Sequence, residues 1–567
     1  MRKLKNILVI SLILCLLSFS AASAKFSNFA GIHKSVPFFI TMSFDGANKE
    51  ILNKAVDTLT GLPNFSGICD DIAKKSGALI NKEFLNELKN IESFSMSVFV
   101  NLENTSSSPN VFMSAAFSDE KTAGAVLENL KKSMQAAYKI NYSKELTLTP
   151  EDNDGLQVLT PYCGKERADF GTLTPLLTKN SKTIGLFVYQ KNNEQKSANC
   201  LKLVSSAFKD AKENISSNDN FKECLAKVKA DDLMLIFFDG PLYKSGAIET
   251  NRPDKSDLVK YMVFSGRLQP DLSKMNFSGL MALKGVKDKN FAKDVETAKK
   301  FFSSGKNGIT FSEIIPKEAV MFVNFNVNPG KYILNAPAAG RPEVPVEGVN
   351  FENDVLEAMD GNIMAAVFEK MSDFFVAFSV KDPKKAAFIF DKVQGIIKNV
   401  SPDTAIKTEV IEGVSVVTIA PKTELMSLFN VGDLKMAMGA FSNYFVIAAN
   451  TEVFKKIILT SKDAANGVYS LAEFKAVNMG SSDAFANVYL NINKLDSLFS
   501  TVPNFTVKMS DFKLLSCFDQ ISASAWLKSD DLLFEAALTT APLKIIGGML
   551  SLFSDSIQFR DFIEKIK

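Results

Sequence analysis

Alternating apolar and polar residues mark a series of short strands along this chain. The clearest run is Phe94–Leu102, in which apolar residues at every second position alternate with small polar ones. This spacing places the apolar side chains on one face of the backbone, so it predicts a half-buried strand. Val111–Phe117 follows as a second strand. A similar strand pair recurs at Ile363–Phe368 and Phe374–Val380.

Each strand pair leads into an amphipathic helix that begins at an aspartate. Asp119 precedes the first helix, and Asp382-Pro383 precede the second. Aspartate at this position accepts hydrogen bonds from the free N–H groups of the first turn, and proline suits the first helical position. The inward positions of the two helices are Ala123, Leu127, Leu130 and Met134 in the first, and Ala386, Ile389, Val393 and Ile397 in the second.

The order of elements then repeats itself along the chain. The turns Asp154-Gly155 and Glu412-Gly413 each precede a strand. We interpret residues 25–304 and 318–567 as two copies of one domain, separated by a polar linker at 305–317. Strands outnumber the helical crossovers and come in adjacent pairs. We therefore predict an α+β fold, a tandem duplication of a mainly antiparallel sheet with helices packed on one face.

Residues 1–24 have the pattern of a secretory signal peptide. A basic start that includes Arg2 leads into the apolar run Ile7–Leu17, and Ala22-Ser23-Ala24 fits the small-residue rule for cleavage. We expect the mature chain to begin at Lys25 and to be exported to the periplasm or the cell surface. An uncleaved N-terminal anchor is the alternative, although the apolar run is shorter than the about 20 residues that a membrane span needs.

No later segment has the length and apolar character of a transmembrane helix. The C-terminal segment Leu543–Ile566 predicts an amphipathic helix. Such a helix either docks on its own sheet or lies on a membrane surface, so peripheral membrane contact stays open.

Charge and cysteine content narrow the class of protein. The chain has 65 basic and 63 acidic residues, so it presents no overall positive field and we expect no nucleic-acid partner. The cysteines after the signal peptide are odd in number, which leaves at least one thiol unpaired and excludes a disulfide framework. A Cys200–Cys224 bridge and two buried free thiols both remain open.

The chain carries no recognisable catalytic or metal-binding motif. His33 is the only histidine and precedes the first strand, so we expect it to be exposed and not catalytic. Ser118 and Lys121 have the Ser-x-x-Lys spacing without the companion motifs. Asp152–Gly155 resembles the start of a calcium loop but lacks the downstream glutamate, and we interpret it as a turn. We assign no catalytic, cofactor-binding or metal-binding residue.

Three features together give the chain a likeness to a known family. They are a strand pair ending in Phe-Ser before a helix, a strand between a turn glycine and a proline, and the segment Ser470–Lys475 before the last strands. The chain resembles exported bacterial proteins of the domain of unknown function DUF3352, over most of both repeats. The resemblance implies an envelope location and a duplicated α+β architecture. It implies no activity and no functional residues.

We therefore predict an uncharacterised, exported envelope protein that is a non-enzymatic binding or scaffold protein. Its partner would be an envelope protein or an apolar ligand. A carrier of an apolar ligand or lipid is one alternative, and a hydrolase using carboxylates is another. No cofactor is expected. We expect function in what the repeats do not share, first in the loops Lys244–Ser256 and Asn335–Asn350.

Overall fold

A computed structural model gives the fold of most of the chain. It describes Phe29, residues 31–44, 46–61, 65–99, 110–171, 173–191, 194–227, 232–244, 259–269, 271, 273–283, 313–326, 358–370, 372–400, 405–420, 435–477, 484–500, 518–528 and 531–540, and Lys544. The predicted signal peptide lies outside these ranges. So do the loops after Lys244 and at 335–350, and the predicted helices at 290–303 and, apart from Lys544, 543–566.

The chain folds into two compact units. Unit 1 covers residues 1–284 and 540–567, and unit 2 covers residues 285–539. Ile314 and Ile315, at the end of the predicted linker, are buried in the core of unit 2. The boundaries that we inferred from the sequence remain predictions.

Unit 1 is an antiparallel sheet with helices. Its strands are β1 (Phe38–Ser43), β2 (Ile91–Phe99), β3 (Asn110–Phe117), β4 (Thr147–Asn153), β5 (Leu156–Cys163), β6 (Glu166–Arg167), β7 (Leu173–Asn180), β8 (Thr183–Gln190), β9 (Met234–Asp239), β10 (Val259–Leu268) and β11 (Lys274–Leu283). Its helices are α1 (Ala47–Thr60), α2 (Phe65–Ser76), α3 (Lys82–Leu88), α4 (Glu120–Tyr142), α5 (Glu194–Lys209), α6 (Asp219–Lys227) and α7 (Gly240–Lys244). The strands pair in the order β11–β10–β9–β1–β2–β3–β8–β7–β5–β4, and β6 pairs with the end of β5.

Unit 2 contains a sheet with the same order of pairing. Its strands are β12 (Met321–Asn326), β13 (Met359–Val367), β14 (Phe374–Val380), β15 (Ala405–Ile411), β16 (Val414–Ala420), β17 (Met436–Phe441), β18 (Tyr444–Ala448), β19 (Ala486–Asn491), β20 (Phe518–Lys528) and β21 (Asp531–Thr540). Its helices are α8 (Pro383–Val400), α9 (Thr451–Lys462), α10 (Ala472–Val477) and α11 (Leu495–Ser500). The order β20–β19–β12–β13–β14–β18–β17–β16–β15 matches β10–β9–β1–β2–β3–β8–β7–β5–β4 of unit 1.

The predicted fold class is wrong, because antiparallel β-sheet dominates the structure and helices lie on both faces of it. The described residues form 21 strands. In unit 1, α1, α3 and α4 share a core with strand residues such as Met42, Phe94 and Ile184. The alternate residues of the same strands face α5 and α6: Phe112 contacts Phe208 of α5, and Phe39 contacts Phe221 of α6. We call these sides the α4 face and the α5 face.

Unit 2 is covered on both sides in the same way. Ile389 and Phe390 of α8 pack on Val380, Val417 and Phe445. On the opposite face, helices α9 and α10 pack against strand residues of the other parity, namely Phe322, Phe375, Ala377, Val446 and Tyr489. The sequence prediction of one covered face therefore fails in both units.

Buried serines explain the error. We took the small polar residues of β2 as its solvent side, but Ser95 and Ser97 are 5% and 0% exposed. The Ser95 hydroxyl lies 2.7 Å from the Ser114 hydroxyl on β3, so the two groups satisfy each other across the strands. Serine on alternate positions therefore does not mark an exposed face here.

The predicted helix starts and turns are confirmed. Asp119 accepts a hydrogen bond from the backbone N–H of Thr122 at 2.8 Å, and Asp382 accepts one from that of Lys385 at 2.8 Å. Asp154 and Gly155 have φ of 59° and 80°. Two positive φ values in a two-residue loop define the type I′ hairpin turn, which confirms the turn interpretation of this segment.

Candidate functional site

A cavity lies between the sheet of unit 1 and the N-terminal half of α5, and we call it the α5 cavity. Its volume is about 220 Å³. It is lined by Glu151, Asp152, Asn153, Val158, Thr160, Arg167, Leu176, Phe187, Tyr189, Ser197, Ala198, Leu201 and Lys202. Every lining residue belongs to unit 1, so the site is complete within one unit.

The floor of the cavity is apolar and aromatic. Leu176 and Phe187 are cross-strand neighbours on β7 and β8. The Phe187 ring stacks with that of Tyr189, with centroids 5.9 Å apart and an angle of 25° between the planes. Leu201 of α5 is buried beside them. These side chains offer a ligand a contact surface with an apolar body and one phenol group.

Hydrogen bonds hold the C-terminal half of α5 on the β4–β5 hairpin. The Ser205 hydroxyl donates to the carbonyl oxygen of Asn153 at 2.9 Å. The Lys209 ammonium lies 3.1 Å from the Asp154 carboxylate at the turn. The Ser205 bond borders the cavity at Asn153, whereas the Lys209 pair lies outside the cavity lining.

The cavity lies where unit 1 is longer than unit 2. Strand β8 has 8 residues and β18 has 5, and α5 has 16 residues against 12 in α9. Lys462 at the end of α9 lies 3.6 Å from Glu412, the counterpart of the Lys209–Asp154 pair. Counting back from these matched lysines places Phe454 at the position of Leu201.

A larger residue, Phe454, stands at this position in unit 2. It is fully buried, and its ring lies against Gly439 of β17 so closely that a Cβ there would meet its Cζ at 2.6 Å. The smaller Leu201, with the longer strand and helix, leaves room in unit 1.

The rim of the α5 cavity carries charges of both signs. Glu151 and Asp152 on β4, Arg167 on β6 and Lys202 on α5 are all exposed. The Glu151 carboxylate accepts a hydrogen bond from the Tyr162 hydroxyl at 3.0 Å. A polar rim over an apolar floor is typical of small-molecule sites.

His33 lies in a second polar cluster of unit 1, and the prediction that it is exposed is wrong. The residue is 4% exposed. Nδ1 lies 3.1 Å from the Ser35 backbone N–H, which donates to it, and 2.6 Å from the Ser35 hydroxyl. Nε2 lies 3.1 Å from the Glu213 carboxylate, which also pairs with Lys34 at 2.9 Å. This cluster ties the segment before β1 to the loop after α5.

The other groups weighed from the sequence have structural roles. The Ser118 hydroxyl donates to Asp119 at the start of α4. Cys200 and Cys224 are free thiols, so the alternative of a bridge between them is not formed. The amide of Asn110 donates to the Cys200 sulfur at 3.4 Å, and burial raises the pKa of the Cys224 thiol.

No lining residue of the α5 cavity was singled out from the sequence as a binding residue. Asp152 and Asn153 drew attention only as a faint calcium cue, since their segment also forms the turn. The greater length of the strand–helix segment 183–209 over 444–462 was the available signal. Within the described ranges, no three His, Cys, Asp or Glu side chains lie close enough together to hold a metal ion.

Comparison with known families bears on the second half of the chain. Residues 345–554 match the model of a family described as a protein of unknown function (DUF3352). Over these residues the chain is similar to the DUF3352 family. The resemblance inferred from the sequence is thereby confirmed over this range, which lies mostly in unit 2. The α5 cavity lies outside the DUF3352 match.

Other comparisons are distant. Crystal form I of TP0453 is similar at 6% identity and a TM-score of 0.21, covering 49% of this chain and 86% of that chain. Crystal form III of TP0453 is similar at 5% identity and a TM-score of 0.21, covering 49% and 88%. Neither likeness bears on function. A search of curated proteins finds no significant match. In the described part of the chain, no helix is long and apolar enough to cross a membrane.

Proposed function

We propose that this protein is a non-enzymatic binding protein that holds a small ligand in the α5 cavity. The observation that carries the proposal is the cavity itself, with its apolar floor of Leu176, Phe187 and Leu201 under a charged rim. Concave sites with an apolar lining and a few polar groups are the usual places where proteins bind small molecules. The smaller Leu201 lines the cavity in unit 1 at the position where unit 2 has Phe454, which packs tightly on Gly439.

The compartment in which we propose this binding is the cell envelope. The basic start, the apolar run and the Ala22-Ser23-Ala24 site support export with cleavage after residue 24. The intact mass of protein purified from its native source tests this. A mass that corresponds to a chain beginning at Lys25 supports export, and a mass that retains residues 1–24 contradicts cleavage.

The size and rim of the cavity favour a small polar ligand over a lipid. A volume of about 220 Å³ is smaller than the roughly 300–1,000 Å³ of pockets that hold drug-sized ligands. Four charged side chains stand at its edge, and an acyl chain has no group to pair with them. The carrier of an apolar ligand stays as the alternative, and lipids are included in the test below.

The variant Leu201→Phe tests the proposed site. It places at this position the residue that unit 2 carries, so we expect the ring to occupy the cavity and abolish binding. The matched control is Val204→Ile, which also installs a unit 2 residue on α5 but changes no lining residue. Both variants are first checked for folding by circular dichroism.

Binding is measured by ligand-observed NMR with separate mixtures of amino acids, dipeptides, sugars, nucleosides, carboxylic acids and short-chain lipids. We expect one class to bind the wild type and Val204→Ile, and to lose binding in Leu201→Phe. Binding that is equal in Leu201→Phe and the wild type would contradict the site, and so would an absence of binding by every class. Chemical conversion of a mixture by the wild type would favour the hydrolase alternative instead.

A further inference from the structure

The walls of the α5 cavity carry opposite charges. Glu151 and Asp152 lie on β4, at one edge of the sheet. Lys202 lies on α5 above the sheet, and Arg167 lies on β6, on the other side of β5 from β4. Neighbouring strands are about 4.8 Å apart, so β4 and β6 are separated by roughly 10 Å. The rim therefore carries carboxylates on β4 and cations on α5 and β6.

In the described part of the chain, the two carboxylates on β4 accept hydrogen bonds only from neutral donors. Glu151 accepts from the Tyr162 hydroxyl at 3.0 Å, and Asp152 accepts from the backbone N–H of Gly155 at 3.0 Å. Neither carboxylate lies within 4 Å of a cationic group of the described residues. Their charge is therefore available to a cationic group of a ligand.

The charge of Lys202 on α5 is also available to a ligand. Among the described residues, its ammonium has no carboxylate within ion-pair distance, whereas Lys209 on the same helix pairs with Asp154 at 3.1 Å. A cation held beside a cavity without a protein partner attracts an anionic group of a ligand, since a charge-assisted hydrogen bond is stronger than a neutral one.

We infer that the ligand of the α5 cavity is a small zwitterion, a free amino acid or dipeptide with an apolar side chain. This inference rests on the proposed binding function. The ligand ammonium would lie beside Glu151 and Asp152, and its carboxylate beside Lys202. Its apolar part would pack on Leu176 and Phe187. The limited volume of the cavity favours a molecule of this size over a longer peptide.

Isothermal titration of the full chain with paired ligands tests the inference. Each apolar amino acid or dipeptide is compared with its N-acetyl form, which loses the cation, and its methyl ester, which loses the anion. We expect the zwitterion to bind and each modified form to bind at least roughly tenfold more weakly, the usual scale for losing one charge-assisted hydrogen bond.

Two variants of α5 locate the anion site. We expect Lys202→Glu to weaken zwitterion binding at least roughly tenfold. Lys209→Glu is the matched control, because it reverses a charge on the same helix outside the cavity, and it should bind as the wild type does. If the modified ligands bind as well as the zwitterion, or the two variants behave alike, the zwitterion is the wrong ligand class. The proposed site would still stand wherever Leu201→Phe abolishes binding of another class, and an absence of any binding would overturn both.

Discussion

Three aromatic residues occupy matching places in the two units, and one of the three differs by a hydroxyl group. In unit 1 the cluster is Phe39, Phe221 and Phe237, and in unit 2 it is Phe322, Phe474 and Tyr489. Tyr489 is 1% exposed, and its hydroxyl has no hydrogen-bond partner in the described part of the chain. Burial and the nearby charge of Glu473 raise the pKa of Tyr489 to about 12, partly offset by the Asn491 side chain.

The variant Tyr489→Phe is expected to stabilise the protein. A buried hydroxyl without a partner costs about 1–3 kcal/mol, so its removal should raise the free energy of unfolding by about 1 kcal/mol or more. Urea unfolding measures the change. Tyr261→Phe is the control, because the buried Tyr261 hydroxyl donates to Glu223 at 3.1 Å. That variant should lower the free energy of unfolding by about 1 kcal/mol. A destabilising Tyr489→Phe would mean that this hydroxyl has a partner.

Single residues also set the limit of what the sequence could predict. Asp119 and Asp382 were recognised because a helix N-cap needs only local geometry. Ser95 and Ser97 were misplaced because a serine is compatible with either side of a strand. Ser95 is buried with a partner, Ser114 on the neighbouring strand, whereas the Ser97 hydroxyl is buried without one among the described residues. The strand neighbours of both residues are set only once the sheet has formed.

At the scale of elements, the His33 cluster joins the segment before β1 to the loop after α5. Burial is the largest effect on His33 and lowers its pKa. The hydrogen bond to Glu213 and the charge of Glu213 raise this pKa, and the charge of Lys34 lowers it. Hydrogen bonds from Lys34 and His33 hold the pKa of Glu213 below its usual range. Glu213 therefore stays ionised while the histidine titrates.

This arrangement predicts a loss of stability in mild acid. The folded-state pKa of His33 lies below its unfolded value of about 6.5, so protonation favours the unfolded chain. The contribution of His33 is complete above about pH 6.5 and is lost as the pH falls from there through the folded pKa. The chain has 1 histidine, so His33 is the only imidazole that titrates in this pH range. The urea midpoint of unfolding should therefore decrease as the pH is lowered from about 7.5 to 5.5. The drop should be smaller in His33→Gln. A midpoint that is constant or rises in acid would contradict this account.

The hydrophobic pattern of the sequence did not predict the edge strands β4 and β15, because neither strand has a fully buried face. Strand β4 reads Thr-Leu-Thr-Pro-Glu-Asp-Asn and is mostly exposed, and β15 is similar. Pro150 is tolerated in β4 because, of the described strands, only β5 pairs with it. Such strands are specified by their partner and by the turn that follows, and these leave little trace in the hydrophobic pattern.

At the scale of the whole molecule, the same order of strands appears in both units, and what differs is local. Matching turns, caps and aromatic clusters account for the folding of each sheet. The longer β8 and α5, and Leu201 in place of Phe454, belong to unit 1 alone. The expectation that function lies in unshared features therefore leads to the α5 cavity, not to the two loops that we first considered.

The cavity itself was beyond sequence reasoning. Its lining comes from strands β4 to β8 and from α5, and these meet only through the pairing of β5 with β4, β6 and β7. Glu151, Arg167 and Lys202 are far apart in the sequence and share no short motif. Only a comparison of element lengths between the two units would have drawn attention to this region.

Methyl NMR of the full chain, labelled at leucine and valine, tests the central claim most directly. The chain is titrated with the ligand class that binds in solution, and shifts are followed for each methyl group. The account predicts saturable shifts at Val158, Leu176 and Leu201, none at Val416 or Val453 in unit 2, and none at all in Leu201→Phe. Shifts centred on unit 2, or shifts that persist in Leu201→Phe, would contradict it.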